Sequence, residues 1–125
     1  MMIPVEQTIL HDPDKGLIGN CLQACIASIL NKSIDQVPHF VARKKADWFD
    51  VMNDWLLQNA GVEAMMISED SNIAPSGYAI LNGKSPRGSM HSVVILNGEL
   101  AHDPHPAGGG IIEPTSYTIF VSPMK

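Results

Sequence analysis

The chain has 125 residues and a formal net charge of −5 at pH 7, with 45% apolar and 17% charged residues. This length predicts one domain over residues 1–125, and the composition is that of a folded globular protein, which excludes a disordered chain. Only eight residues are Lys or Arg, which argues against a nucleic-acid partner because binding to phosphates depends on many basic side chains.

The sequence predicts a cytoplasmic protein without a membrane partner. No apolar run approaches the roughly 20 residues that span a bilayer. The first fifteen residues carry Glu6, Asp12 and Asp14 where a secretion signal has a basic and then an apolar segment. The sequence leaves the oligomeric state open.

An apolar helical run follows Gly19 and Asn20 and predicts a first helix over residues 21–30, with Asn20 as its N-cap. Cys21 falls in the first turn, where unpaired N–H groups and the helix dipole favour a thiolate. We therefore interpret Cys21 as a candidate nucleophile. Cys25 lies one turn later and is expected to be an inert thiol in the core.

A second long helix is predicted from an Asp47 cap to Ala60. Its apolar stripe indicates a face buried in the core, and the alternative is that Trp48 lines a substrate groove. The stripe consists of Trp48, Val51, Met52, Trp55 and Leu56.

The remainder of the chain predicts β-strands separated by Gly, Pro, Asn and Asp. Because the helices come first, the pattern indicates an α+β fold with N-terminal helices packed on a C-terminal antiparallel sheet. The predicted strands are 62–67, 77–81, 92–96, 99–102 and 117–121.

The dipeptide Asn97-Gly98 predicts a tight hairpin, since it is the strongest two-residue turn signal. Counting outwards from this turn, Ser92 is expected opposite Asp103, with His91 beside it. A hydrogen bond from His91 to Asp103 would fix the tautomer of the ring and leave its second nitrogen to accept the Cys21 proton.

Histidines near this hairpin also suggest a rival zinc site. His102 and His105 could join His91, Cys21 and Cys25 as ligands. The two cysteines do not have the spacing of a zinc knuckle, and His102 and Asp103 are expected on opposite faces of the sheet. We therefore expect no metal and no other cofactor.

Gln7, Gly19-Asn20-Cys21, His91 before a β-branched strand and Asp103-Pro104 together resemble the papain-like cysteine peptidase superfamily. The likeness extends to its small bacterial and phage members, such as bacteriocin-leader peptidase domains. The resemblance implies a papain-like fold and a Cys-His-Asp triad. It makes Cys21 the nucleophile, His91 the general base and acid, Asp103 the residue that orients the histidine, and Gln7 an oxyanion-hole donor.

Gln7 precedes Cys21 by fourteen residues, so the segment 11–19 is expected to loop out. Asn20 or Gln23 are the alternative oxyanion donors. The expected function is a thiol hydrolase that cleaves a peptide or amide bond through a thioester acyl-enzyme. The alternatives are an amidase or acyltransferase acting on a small molecule, and a catalytically silent binding module with the same fold.

Overall fold

The computed structural model describes residues 2–43, 45–71 and 75–123, apart from the side chain of Arg43. Two helices precede an antiparallel five-stranded sheet with the strand order β1-β5-β2-β3-β4. The α+β prediction is therefore confirmed. The elements are α1 Cys21–Leu30, α2 Trp48–Ala60, β1 Glu63–Ser68, β2 Tyr78–Lys84, β3 Met90–Leu96, β4 Glu99–His102 and β5 Glu113–Val121.

Both helices have their predicted bounds, but the sequence underestimated two strands. β2 continues through Asn82 and Gly83, and β5 begins at Glu113, although turn-forming residues there indicated strand ends. A bulge at Asn82 and Gly83 lets the two strands stay paired. Gly83 is required at this point, because a Cβ atom would overlap the carbonyl oxygen of Glu113.

α1 is the central helix of the protein. Every residue from Ala24 to Ser28 is buried, so this part of the helix is packed on all sides. Asn20 is the N-cap residue by position, but its side chain makes no capping hydrogen bond. The core that α1 shares with α2 and one face of the sheet includes Cys25, Ile26, Ala27, Met52, Leu56, Ala64, Ile80 and Val94.

An irregular segment at residues 2–9 lies along α1 and links it to the sheet. The N–H of Val5 donates to Ser28 Oγ at 2.9 Å, and the N–H of Ile3 donates to Asn31 Oδ1 at 3.1 Å. The carbonyl of Val5 accepts a hydrogen bond from His102 Nε2 at 2.8 Å. These contacts join the N-terminal segment to the end of β4.

The hairpin of β3 and β4 turns at Asn97 and Gly98, whose φ angles of 51° and 85° are those of a tight primed turn. Leu96 faces Glu99 as predicted. The predicted pairing of Ser92 with Asp103 is wrong, because Ala101 is an extra residue in a bulge and Val94 faces His102. Since strand side chains alternate, this extra residue moves Asp103 to the face that carries His91.

Within the described residues, no helix has the length and apolar character needed to cross a membrane.

Neighbouring leucines of α2 provide a test of this packing. Leu56 is 0% exposed and Leu57 is 39% exposed. We expect Leu56→Ala to lower the free energy of unfolding by about 2–5 kcal/mol, because it leaves a cavity in the core. Leu57→Ala is the matched control and should change it by about 0.5 kcal/mol or less. Equal losses in chemical denaturation would contradict this assignment of the buried face.

Candidate active site

The hydrogen bond predicted between His91 and Asp103 is present. His91 Nε2 lies 2.7 Å from Asp103 Oδ1, and the two side chains are 4% and 7% exposed. β3 supplies the histidine, and the aspartate follows β4 directly. This bond occupies Nε2, so Nδ1 is the ring nitrogen left to exchange a proton with another group.

Two backbone groups hold the Asp103 carboxylate in addition to His91. The N–H of His105 donates to Oδ1 and the N–H of Gly110 donates to Oδ2, both at 2.9 Å. Burial opposes ionisation of Asp103, but the hydrogen bonds from His91, His105 and Gly110 outweigh it and lower the pKa of this carboxyl group. Asp103 is therefore an ionised, oriented partner for the imidazole ring.

Cys21 lies at the first position of α1, but the prediction that this position acidifies its thiol is wrong. Burial is the largest influence and raises the pKa of Cys21 above its ordinary value. Hydrogen bonds to the Ser92 backbone and hydroxyl, and to the N–H groups of Leu22 and Cys21 itself, offset only part of this effect. The thiol is therefore the resting form at neutral pH.

Cys21 and His91 line the same two cavities. The first has a volume of about 380 Å³ and the second of about 520 Å³. Asp103 lies behind His91. The structure thus gathers the three residues of the predicted triad at one place, whereas Cys25 is fully buried in the core.

Gln7 lines the second cavity together with Cys21 and His91. Its backbone N–H donates to the Pro104 carbonyl at 3.0 Å, and its side-chain Nε2 donates to Ile9 O at 2.9 Å. The side-chain Oε1 is buried and has no hydrogen-bond partner among the described residues. An unpaired buried oxygen costs about 1–3 kcal/mol.

The predicted loop between Gln7 and Cys21 is confirmed. The N–H of Asn20 donates to Ile9 O at 3.1 Å and closes the segment, while Asp12 and Leu17 form an isolated bridge within it. Gly19 makes this closure feasible, because a Cβ atom there would lie 2.9 Å from the backbone nitrogen of His11.

The two alternative oxyanion donors do not fit that role. The amide of Asn20 donates to Thr8 Oγ1 at 2.9 Å and to Gln23 Oε1 at 3.2 Å. The amide of Gln23 donates to the carbonyls of Ile34 and Val37 at 3.0 and 2.6 Å. Both groups stabilise the chain around α1, and their N–H donors are already used.

A polar chain on the sheet was missed by the sequence analysis. The hydroxyl of Ser92, a partner of the Cys21 thiol, donates to Asn82 Oδ1 at 2.7 Å. Asn82 Nδ2 donates in turn to Thr118 Oγ1 at 2.9 Å and to Ser116 Oγ at 3.3 Å. Asn82 interrupts an apolar strand in the sequence, and a polar residue at such a position was the available signal.

His105 is a second residue that was not assigned to the site. Its ring meets the ring of His91 edge to face with centroids 6.1 Å apart, and it lines the second cavity. Burial, together with the charges of Arg87 and His91, lowers the pKa of His105. His105 is therefore a neutral neighbour of the His91–Asp103 pair at neutral pH.

The residues of the rival zinc site have separate roles. His102 Nε2 is bonded to the carbonyl of Val5, and Cys25 lies in the core. Among residues 2–43, 45–71 and 75–123, no group of three or more His, Cys, Asp and Glu side chains is arranged to hold a metal ion.

Comparison of the chain with protein-family models, curated protein sequences and solved structures finds no match.

A substitution at Gly19 tests how Gln7 and His11 are positioned. We expect Gly19→Ala to push the His11 backbone away, because the new Cβ would lie 2.9 Å from its nitrogen, and to cost about 1–3 kcal/mol. Gly16→Ala is the control for the loop, since it meets no atom within 4 Å but has a φ of +69°. Backbone NMR shifts of Gln7 and Cys21 that change equally in both variants would contradict this role.

The lowered pKa of Asp103 predicts that the stability of the protein depends on pH. Because its pKa is lower in the folded protein than the usual 3.8, the folded state gains stability above pH 3.8 and loses it as pH falls through the folded pKa. Asp103→Asn should therefore flatten the fall in unfolding free energy on acidification. Asp54→Asn, at an exposed position of α2, is the comparison. An Asp103→Asn profile that keeps the wild-type slope would contradict the assignment.

Proposed function

We propose that the protein is a cysteine-dependent hydrolase that cleaves a peptide or amide bond. The observation that carries this proposal is the buried 2.7 Å hydrogen bond between His91 and Asp103 beside cavities that Cys21 also lines. A thiol, an imidazole with one free nitrogen and a carboxylate that orients the ring form a nucleophile, base and orienting set.

In the proposed reaction, the Cys21 sulfur attacks the substrate carbonyl carbon, and His91 Nδ1 takes the thiol proton. The tetrahedral intermediate collapses, the C–N bond breaks and the same proton passes to the leaving amine. Water then attacks the thioester, again with His91 as base, and releases the carboxylic acid and the Cys21 thiol. The step forms and breaks one C–S bond per turnover and needs no co-reactant other than water.

Because the pKa of Cys21 is raised, the thiol proton is transferred during the attack and not before it. A thiol that is neutral at rest loses its proton as it attacks, so general-base catalysis by His91 is required. Asp103 supports this step, because its negative charge stabilises the imidazolium that forms.

The oxyanion of the intermediate would meet N–H donors at the start of α1. We assign the Cys21 backbone N–H and the second N–H of the Gln7 amide to this role, since the first is bonded to Ile9. Each such donor contributes about 3 kcal/mol to the transition state. A nucleophile at the start of a central helix and a His-Asp pair on the sheet also support a papain-like arrangement.

The alternative function is a binding module without catalysis. The observation that favours it is the raised pKa of the Cys21 thiol, which reduces the reactivity of the thiol at rest. Acylation of Cys21 distinguishes the two functions, because only the hydrolase depends on a base that activates the thiol.

The test uses p-nitrophenyl acetate as an acyl donor, with intact-mass spectrometry and peptide mapping. We expect acetylation of Cys21 in the wild type, none in Cys21→Ala, and a rate lower by about 10²–10⁴ in His91→Ala. Cys25→Ala is the matched control and should be acetylated like the wild type, because Cys25 lies in the core. Wild-type protein that neither becomes acetylated at Cys21 nor releases p-nitrophenolate faster than Cys21→Ala would overturn the hydrolase proposal in favour of the binding module.

The pH profile of acetylation gives a separate prediction. In His91→Ala, the rate should rise with pH towards and beyond 9.0, because only the thiolate attacks and burial raises the pKa of Cys21 above that usual value. In the wild type, His91 accepts the proton, so appreciable acetylation should persist near pH 7. Identical profiles for the two proteins would argue against a proton transfer to His91.

A further inference from the structure

Two cavities of opposite character meet at the candidate nucleophile. They share Cys21, His91, His11 and Met90, and the remaining lining residues differ in kind. One cavity is lined largely by apolar and aromatic side chains, and the other is lined by Arg87 and His105. A substrate that fills both while its scissile bond lies at Cys21 would therefore have chemically different ends.

The first cavity, which we call the apolar cavity, lies between α2 and the sheet. Its apolar lining includes Leu22, Val41, Trp48, Phe49, Met52 and Met66. On its sheet side, both amide hydrogens of Asn82 are donated to Ser116 and Thr118, and its oxygen accepts from Ser92. Because the Asn82 amide is already saturated, an apolar group can cover it without leaving it unpaired. The volume of about 380 Å³ is within the range of pockets that bind small molecules, so it has room for an aryl or alkyl group.

The second cavity, which we call the basic cavity, contains Arg87 and no carboxylate among the described residues that line it. Arg87 donates to the Gly108 carbonyl at 2.9 Å and forms no ion pair within the described parts of the chain. Its other guanidinium N–H groups are free to bind a carboxylate. The planar guanidinium matches the two oxygens of a carboxylate well.

The loop that carries Arg87 is fixed by its own hydrogen bonds. Ser85 N donates to Ser89 O at 2.9 Å, Gly88 N donates to Ser85 O at 3.0 Å, and Arg87 N donates to the buried Ser85 hydroxyl at 3.2 Å. The arginine backbone is therefore held in place before any ligand binds, which lowers the entropic cost of binding.

From this pairing of cavities we infer that the substrate is an N-acyl amino acid, with an apolar acyl group and a leaving amine that carries a carboxylate. The inference rests on the proposed function. Leu22 and Ser92, which hold the Cys21 thiol, line the apolar cavity, so the acyl group that becomes bonded to sulfur belongs there. The amine that His91 protonates then extends towards His105 and Arg87.

The test compares N-phenylacetylglycine with its carboxamide, N-phenylacetylglycinamide, in the wild type and in Arg87→Met. We expect kcat/KM for the acid to exceed that for the amide by about tenfold or more, as for a charge-assisted hydrogen bond. Arg87→Met should remove this preference by lowering kcat/KM for the acid to about the value for the amide. Lys84→Met, an exposed lysine just before the loop and outside both cavities, is the matched control and should retain the preference.

A second comparison tests the orientation. N-Acetylglycine should be a poorer substrate than N-phenylacetylglycine, and the benzylamide of succinic acid, which reverses the two ends, should be poorer still. Equal kcat/KM values for the acid and the amide, or a preference for the reversed compound, would overturn the inference. Because acetylation of Cys21 by p-nitrophenyl acetate is measured separately, this failure is distinguishable from failure of the hydrolase proposal.

Discussion

The side-chain amide of Asn20 is the constraint on which the geometry of the site depends. It is buried, its Oδ1 accepts from the N–H groups of Thr8 and Ile9 at 3.0 and 2.8 Å, and both amide hydrogens are donated. A saturated amide directly before Cys21 ties the N-terminal segment to the start of α1. Gln7 and His11 reach the nucleophile because of this attachment.

The structural features that depend on residues close together in the sequence could be predicted. The bounds of α1 follow from its apolar spacing and from a helix-starting residue next to it, and the Asn97-Gly98 turn specifies a hairpin within a few residues. The hairpin also brought Asp103 near His91, although the bulge that turns both side chains to one face was not predicted. Gln7, which the family resemblance suggested, lies in the same cavity as Cys21.

The errors concern effects that depend on distant parts of the chain. Asn20 was predicted to cap the helix, but Thr8 and Ile9 compete successfully for its side chain. The acidity of Cys21 was predicted from the unpaired N–H groups and the dipole at the helix start, whereas burial has the larger effect on its pKa. Asn82 was missed because its partners Ser116 and Thr118 come from a strand more than thirty residues away.

The bulge at Ala101 has a consequence for how the hairpin can change during evolution. Surface hairpins ordinarily tolerate gain or loss of a residue, but here the extra residue sets which face Asp103 occupies. A single-residue deletion between Gly98 and Asp103 would restore a regular ladder and rotate the carboxylate away from His91. The length of this short stretch, more than the identity of its exposed side chains, is therefore expected to be under selection.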